Sequence, residues 1–193
     1  MKAQEAHETI EEAFEGKHNK RVAILIAVLA ATLAIAEMGG GQAKQDALNF
    51  NIEASNLWSF FQAKTIRQTV LRTAAETAEI EATAAAPAKA AAIAKQLAAW
   101  KTTVARYESE PGTGEGRKEL TARAKAAEVR RDRALAADHD FELASGTLQL
   151  GIVLSSAAII TGVIWLAYAA VGLGLIGVVF VGVGLLAPTL LPF

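Results

Sequence analysis

The sequence predicts an all-α fold: an integral membrane protein with three transmembrane helices and a helical, partly coiled-coil domain between the first and second. Three observations predict it. From Thr147 to Phe193 there is no Asp, Glu, Lys, Arg or His, and a run of that length without charge belongs in a bilayer. From Val22 to Ala36 every residue except Thr32 is apolar. Between these runs the chain is rich in Ala, Glu, Lys, Arg, Gln and Thr, and its apolar residues recur at helical rather than alternating intervals. The expected division is a charged N-terminal segment at 1–21, a transmembrane helix at 22–41, a helical and coiled-coil polar domain at 42–146, and transmembrane helices at 147–169 and 170–193.

Composition narrows the function before any motif is read. Of 193 residues, 52% are hydrophobic and 20% charged, the formal net charge is -1, and there is no cysteine. A near-neutral balance carries no electrostatic signature for nucleic acid or an acidic substrate. The missing thiols exclude disulfides, thiolate catalysis and cysteine-ligated metal or iron–sulfur sites.

The first span is short. Val22 to Ala36, extended by Met38-Gly39-Gly40-Gly41 past Glu37, gives about 18 to 20 residues for a hydrocarbon core of ~30 Å. Lys20-Arg21 ahead of it and Ala34-Ile35-Ala36 behind it also resemble a signal peptide with its cleavage site. The preceding segment, with Glu5, Glu8, Glu11, Glu12 and Glu15, is unlike a basic leader, so an uncleaved anchor is expected.

The charge-free C-terminal run is too long for one crossing and suits two helices of ~20 to 23 residues with a tight turn. Glycines suggest the turn. Leu148 to Tyr168 would be the second span, Ala169 to Gly174 the reversal, and Leu175 to Leu191 the core of the third, with Pro188 and Pro192 ending it. Gly151, Ser155, Ala158 and Gly162 share one helical face of the second span, and Gly174, Gly177 and Gly184 stand in similar relation on the third. Small faces let helix backbones approach closely, so Gly151, Ser155, Gly162, Gly174, Gly177 and Gly184 are expected to pack helices within the membrane. The other reading of the same glycines is the wall of an oligomeric pore. Neither C-terminal span carries an ionisable residue, which argues against a classical transporter.

Orientation rests on few charges. Lys17, Lys20 and Arg21 precede the first span; Lys44 follows it, and Arg130, Arg131 and Arg133 precede the second. Because the first helix usually dominates, the N-terminus is expected in the cytoplasm, with the polar domain and the C-terminus on the other side.

Within the polar domain the clearest register is Ile93, Leu97, Trp100, Val104 and Tyr107, a coiled-coil seam of about two heptads and the expected self-association surface. Upstream, Ala47, Phe50, Ala54, Leu57 and Phe61 form another stripe, and Leu120, Ala124 and Ala127 a narrower one. Trp58, Phe60 and Phe61 are placed at the membrane interface, where aromatic rings gather, although a helix interface would also hold them. Ala84-Ala85-Ala86-Pro87 permits a kink or restart, and Glu110-Pro111-Gly112-Thr113-Gly114-Glu115-Gly116 must be a loop. A continuous helix from Gln42 to Ser109 would reach ~100 Å, whereas Arg117 to Gly146 returns only ~45 Å. Either Gln42 to Ala63 lies along the membrane on its aromatic face, the expected arrangement, or the chain folds back near Pro87. The return arm is expected to run unbroken into the second span, since no proline separates Arg117 from Pro188.

Nothing in the chain spells out catalysis. Its histidines are His7, His18 and His139. Asp138-His139-Asp140 with Glu142 is the one ligand-like cluster, but consecutive residues fan around a helix, and the His139–Glu142 pair supplies two ligands, too few for a metal site. Gly112, Gly114 and Gly116 lack the Lys-Ser/Thr of a phosphate loop. No serine sits in a nucleophile elbow, and no His-Glu-x-x-His occurs. Glu37 borders the first span and is an intramembrane-carboxylate candidate that water can equally reach. The basic residues Lys64, Arg67 and Arg72 alternate with acidic ones, as on a solvated helix. No enzymatic activity, cofactor, metal or nucleic-acid partner is expected; the partners are the lipid bilayer and further copies of the chain.

The order of segments resembles a known family. The charged head ends in Lys20-Arg21, a short span follows, then Asn56-Leu57-Trp58-Ser59-Phe60-Phe61-Gln62-Ala63-Lys64-Thr65-Ile66-Arg67, then Ala137-Asp138-His139-Asp140 leading into Leu148-Gln149-Leu150-Gly151-Ile152-Val153-Leu154-Ser155-Ser156. This resembles the bacterial domain-of-unknown-function family numbered 4337, over essentially the whole chain. The resemblance implies a multi-pass protein of the bacterial inner membrane and carries no catalytic residue with it. The expected function is a homo-oligomeric scaffold or interaction module at that membrane, the alternative a pore lined by the Gly-rich C-terminal helices.

Overall fold

The computed structural model describes residues 2–190, with side chains from Asn19 onward, so the expectations for the acidic head, for His7 and His18 and for Pro192 lie outside the described residues. The described chain forms four helices: α1 (Lys2–Thr83), α2 (Pro87–Glu108), α3 (Arg117–Thr161) and α4 (Ile164–Leu186). No strand occurs among the described residues. Backbone chemistry sets the breaks. Ala86 is extended (φ -61°, ψ 151°), as a residue ahead of proline must be, and Pro87 opens α2, where its missing N–H costs nothing. Gly162 closes α3 at φ 71°, donating its N–H to Ala158 O at 3.0 Å, the left-handed position that favours glycine after a helix. Pro188 follows the end of α4.

Two expectations are corrected here. The reversal between the last two helices lies at Gly162–Val163 and not at Ala169–Gly174, so Gly162 is the turn and packs no helices. Ala169 to Gly174 continue α4 because Ala170 and Gly174 are core positions of that helix. Likewise α1 runs through Gln42–Ala63 without interruption, and the fold-back falls at Ala84–Pro87. Three helices, α1, α3 and α4, are long and apolar enough to cross a membrane.

The chain divides into two compact units: Met1–Ala47 with Asp132–Phe193, and Leu48–Arg131. The first unit packs α1, α3 and α4 on inward lines that step by three and four residues. On α3 the line is Phe141, Ala144, Leu148, Gly151, Ser155 and Ala158; on α4 it is Ala167, Ala170, Gly174, Gly177, Val181 and Gly184. Large residues fill the hollows that glycines leave. Leu29 of α1 fits against Gly151 and Gly174, Leu148 against Gly177, and the Phe141 ring against Gly39 of α1 and Gly184 of α4. Thus Gly151, Gly174, Gly177 and Gly184 lie in the core of one chain, together with Ser155, whose buried Oγ has no hydrogen-bond partner.

In the second unit α3 returns antiparallel to α1, with Ala54 and Leu57 packed against Leu120, Ala124 and Ala127. Cross-links mark the register: Trp58 Nε1 donates to Glu128 Oε1 at 2.8 Å, and Arg130 reaches Glu53 at 3.0 Å. Trp58, Phe60 and Phe61 pack on this α1–α3 seam, Trp58 and Phe61 edge-to-face at 5.5 Å. The structure therefore places in a helix interface the three rings expected at the membrane surface. The reason is the small-residue face of α3, which admits bulky partners.

Candidate interaction surface

The α1 stripe that begins at Ala47 does not stop at Phe61. Continued by fours and threes it reaches Lys64, Gln68, Leu71, Ala75, Ala78 and Ala82. Lys64 and Gln68 are consequently polar residues at core positions, only 5% and 2% exposed. A buried amide or ammonium is costly unless partnered, and each is partnered. Gln68 Nε2 donates to Val104 O at 3.2 Å and to Glu108 Oε2 at 3.1 Å, while its Oε1 accepts from Arg117 Nη1 at 2.6 Å. Arg117 Nη1 also meets Glu108 Oε2 at 2.9 Å, and its guanidinium lies 4.9 Å from the centre of the Phe61 ring. The Lys64 ammonium is 3.7 Å from both Glu110 and Glu115 and rests over the Phe60 and Tyr107 rings at 5.4 and 5.1 Å.

These contacts join α1, α2, α3 and the loop between α2 and α3 at one point. Ser109 Oγ donates to Glu119 Oε1 at 2.6 Å, and the Glu110 backbone N–H donates to Glu119 Oε2 at 3.1 Å. The Gln68 amide, and after it Arg117 and Lys118, holds the Glu108 carboxyl below its ordinary range; the Ser109 hydroxyl, then the Glu110 N–H, does the same for Glu119. A carboxylate with a lowered folded-state pKa stabilises the fold above its unfolded value and loses that contribution as pH falls through the folded value. Acidification from pH 7 to well below the ordinary glutamate value of 4.5 is therefore expected to lower the protection factors of the Ser109–Glu119 amides, each observed rate being compared with the intrinsic exchange rate at its own pH. Protection factors unchanged once both carboxylates are protonated would contradict this role for them.

Beyond this junction α1 and α2 form a two-helix hairpin. Of the five seam residues, Ile93, Leu97, Trp100 and Val104 line one face of α2, and Tyr107 closes it over Lys64. All five are half-buried, and no residue of α2 is buried. The opposing α1 residues Ala75, Ala78 and Ala82 are small. Alanines cannot cover leucine, isoleucine and tryptophan from one side, so the apolar seam stays half open. Ile80 near the tip is 73% exposed. Nearer the junction, a shallow groove of about 390 Å³ runs between the two arms, lined by Arg72, Glu76, Glu79, Lys101 and Val104 among others. Charge is sorted between the arms: from Arg72 onward α1 carries Glu76, Glu79 and Glu81, whereas α2 carries Lys89, Lys95, Lys101 and Arg106 against Glu108. Lys89–Glu81 and Lys101–Glu79, both 2.7 Å, couple the arms.

Among the described residues no three His, Asp or Glu side chains converge as a metal-ligand set. Asp140 is buried against Gly184, with Oδ2 unpartnered.

Fold and site together define a helical protein with three helices long and apolar enough to cross a bilayer and a polar two-helix hairpin. The chain belongs to the family described as Domain of unknown function (DUF4337), whose model matches residues 18–187. No curated protein and no solved structure matches it.

Proposed function

We propose that this chain is a multi-pass scaffold of the bacterial inner membrane that self-associates through the α1–α2 hairpin. The observation that carries this reading is the half-covered seam Ile93, Leu97, Trp100, Val104 and Tyr107 on a helix with no buried residue. An acidic arm beside a basic arm makes the surface self-complementary. Two hairpins related by a two-fold axis bring the acidic α1 segment of each onto the basic α2 of the other, and the apolar seams close between them. Three apolar helices support membrane embedding, with the N-terminus in the cytoplasm as the first-span charges favour. The pore reading draws less support, because Gly174, Gly177 and Gly184 are occupied by Leu29, Leu148 and Phe141 within one chain.

The native mass of the detergent-held protein tests the scaffold. A discrete oligomer is expected. Leu97→Glu with Trp100→Glu should return it to monomer with helix content retained, and Lys95→Glu, on the exposed face of α2, should lower the oligomer fraction at low salt more than at high salt. A monomeric wild-type chain, or an oligomer indifferent to both variants, would end the proposal.

A further inference from the structure

A groove of about 270 Å³ opens between α1 and α4 at the end of the first unit where Lys20-Arg21 gives way to Val22. The two helices run parallel here. Val22 packs with Ala167, and Leu29, seven residues on, fits against Gly174, also seven residues on. In that register Tyr168 lies ~3 Å nearer the middle of the apolar stretches than Arg21 does. Arg21 and Tyr168 stand at the mouth of the groove, and Val22, Leu25, Ala167 and Val171 continue its wall inward. Trp165, on the first turn of α4, is exposed, as is Tyr168. Indole and phenol rings gather at the level where a bilayer's headgroups meet its hydrocarbon.

Charge at this end is one-sided. Lys20 and Arg21 are both exposed, and neither closes a salt bridge among the described residues. The positions three and four before Arg21 are His18 and Lys17, and those after it are Ile24 and Leu25, so neighbouring turns of its own helix supply no carboxylate. The next ionisable residue on α1 is Glu37, sixteen positions and ~24 Å along the helix. From Leu143 to the end of α3, and throughout α4, there is no Asp, Glu, Lys, Arg or His. Inward of the mouth the exposed side chains are apolar: Ile24 and Val28 on α1, Val171 and Leu175 on α4. Two cations at the edge of an apolar surface fit an anion that carries hydrocarbon.

We infer that this groove holds an anionic glycerophospholipid of the phosphatidylglycerol type. Its phosphate sits on the Arg21 guanidinium, its ester oxygens accept from the Tyr168 hydroxyl, and an acyl chain runs inward over Leu25 and Val171. The order of groups along the groove is the lipid's own, with phosphate outermost, esters next and hydrocarbon beyond. Phosphate and ester oxygens are acceptors, and both protein groups at the mouth donate. Net charge selects the class. An ethanolamine or choline headgroup carries the same phosphate but brings a third cation beside Lys20 and Arg21, whereas a glycerol headgroup brings none.

This inference rests on the membrane embedding proposed above, and the test separates the two. Resistance of the full-length chain to extraction from membranes at alkaline pH reads embedding alone. Native mass spectrometry of the detergent-released protein, with phosphatidylglycerol, phosphatidylethanolamine or phosphatidylcholine added in turn, then reads the groove. Glycerol lipid should be retained about tenfold more than either other, corresponding to ~1.4 kcal/mol. Arg21→Gln should abolish that preference, and it leaves Lys17 and Lys20 ahead of the span to support insertion. Tyr168→Phe should weaken retention of glycerol lipid, and Val171→Trp should fill the groove and weaken retention of all three. Lys125→Gln, which removes the same charge from an exposed site in the second unit, should leave the preference intact. Equal retention of the three lipids, a preference untouched by Arg21→Gln, or one lost as fully in Lys125→Gln would overturn the inference in a chain that still resists extraction. Loss of the native oligomer in Val171→Trp with lipid retention unchanged would make the groove a contact between copies, and would overturn it also.

Discussion

Gly39→Val is expected to destabilise the three-helix unit by on the order of 1 to 3 kcal/mol, the range for forcing extra carbon into a filled core. A Cβ at Gly39 would stand 2.6 Å from Cε1 and Cζ of Phe141. The side chain cannot retreat easily: it is 3% exposed, a Cβ at Gly184 of α4 would stand 3.3 Å from its Cε2 and Cζ, and one at Gly40 3.2 Å from its Cβ. Helix propensity acts in the opposite direction, since valine is a better helix former than glycine, but by only a few tenths of a kcal/mol. The steric term wins. Gly41→Val, two positions along the same helix, is the control, because a Cβ there meets nothing within 4 Å. Thermal unfolding in detergent should show a lower midpoint for Gly39→Val and a wild-type or slightly higher one for Gly41→Val. Coincident melting of the two variants would mean that Phe141 does not rest in a glycine cradle.

The same cradle explains what the sequence made legible and what it concealed. The apolar runs announced themselves, because absence of charge over a span is a property of composition and needs no partner. The reversal did not. Gly151, Ser155, Ala158 and Gly162 continue one another on a helical face, so periodicity alone places Gly162 among packing residues; its φ of 71° makes it the turn. Gly174 looks like punctuation, yet it falls on the inward line of α4 and receives Leu29. Phe141 is hidden in the sequence because a single aromatic residue beside an acidic cluster reads as part of that cluster, although it begins the three–four line through Ala144 and Leu148. In the second unit, the stripe through Phe61 was legible but its continuation through Lys64 and Gln68 was hidden, since polar residues interrupt a pattern defined by hydrophobicity. Their burial depends on Glu108, Glu110, Glu115 and Arg117, partners far along the chain that no local period reveals.

That long-range dependence makes Gly116→Ala the second large effect, expected to cost about 1 to 3 kcal/mol, the range for forcing an extra carbon into a filled site. Gly116 is buried just before α3, and its φ is not positive, so space and not conformation demands glycine there. An added Cβ would collide with the Glu110 backbone nitrogen and the Glu119 carboxylate and stand 2.7 Å from Ser109 Cα. Backbone cannot rotate aside as a side chain can. Relief requires the loop to lift, which breaks both hydrogen bonds to Glu119 and moves Glu110 and Glu115 away from Lys64. Both hydrogen bonds to the Glu119 carboxylate are then lost, and a buried ammonium left without its carboxylates adds a desolvation cost. Gly112→Ala, at a position with nothing within 4 Å, should be close to neutral. If one clasp is at stake, Glu119→Gln should destabilise the wild type but add little in the Gly116→Ala background, because the contacts it removes are already gone. Thermal unfolding of the four proteins decides the matter: additive losses would mean that Gly116 and Glu119 act separately, and a Gly116→Ala chain as stable as Gly112→Ala would mean that the loop is not held as the structure has it.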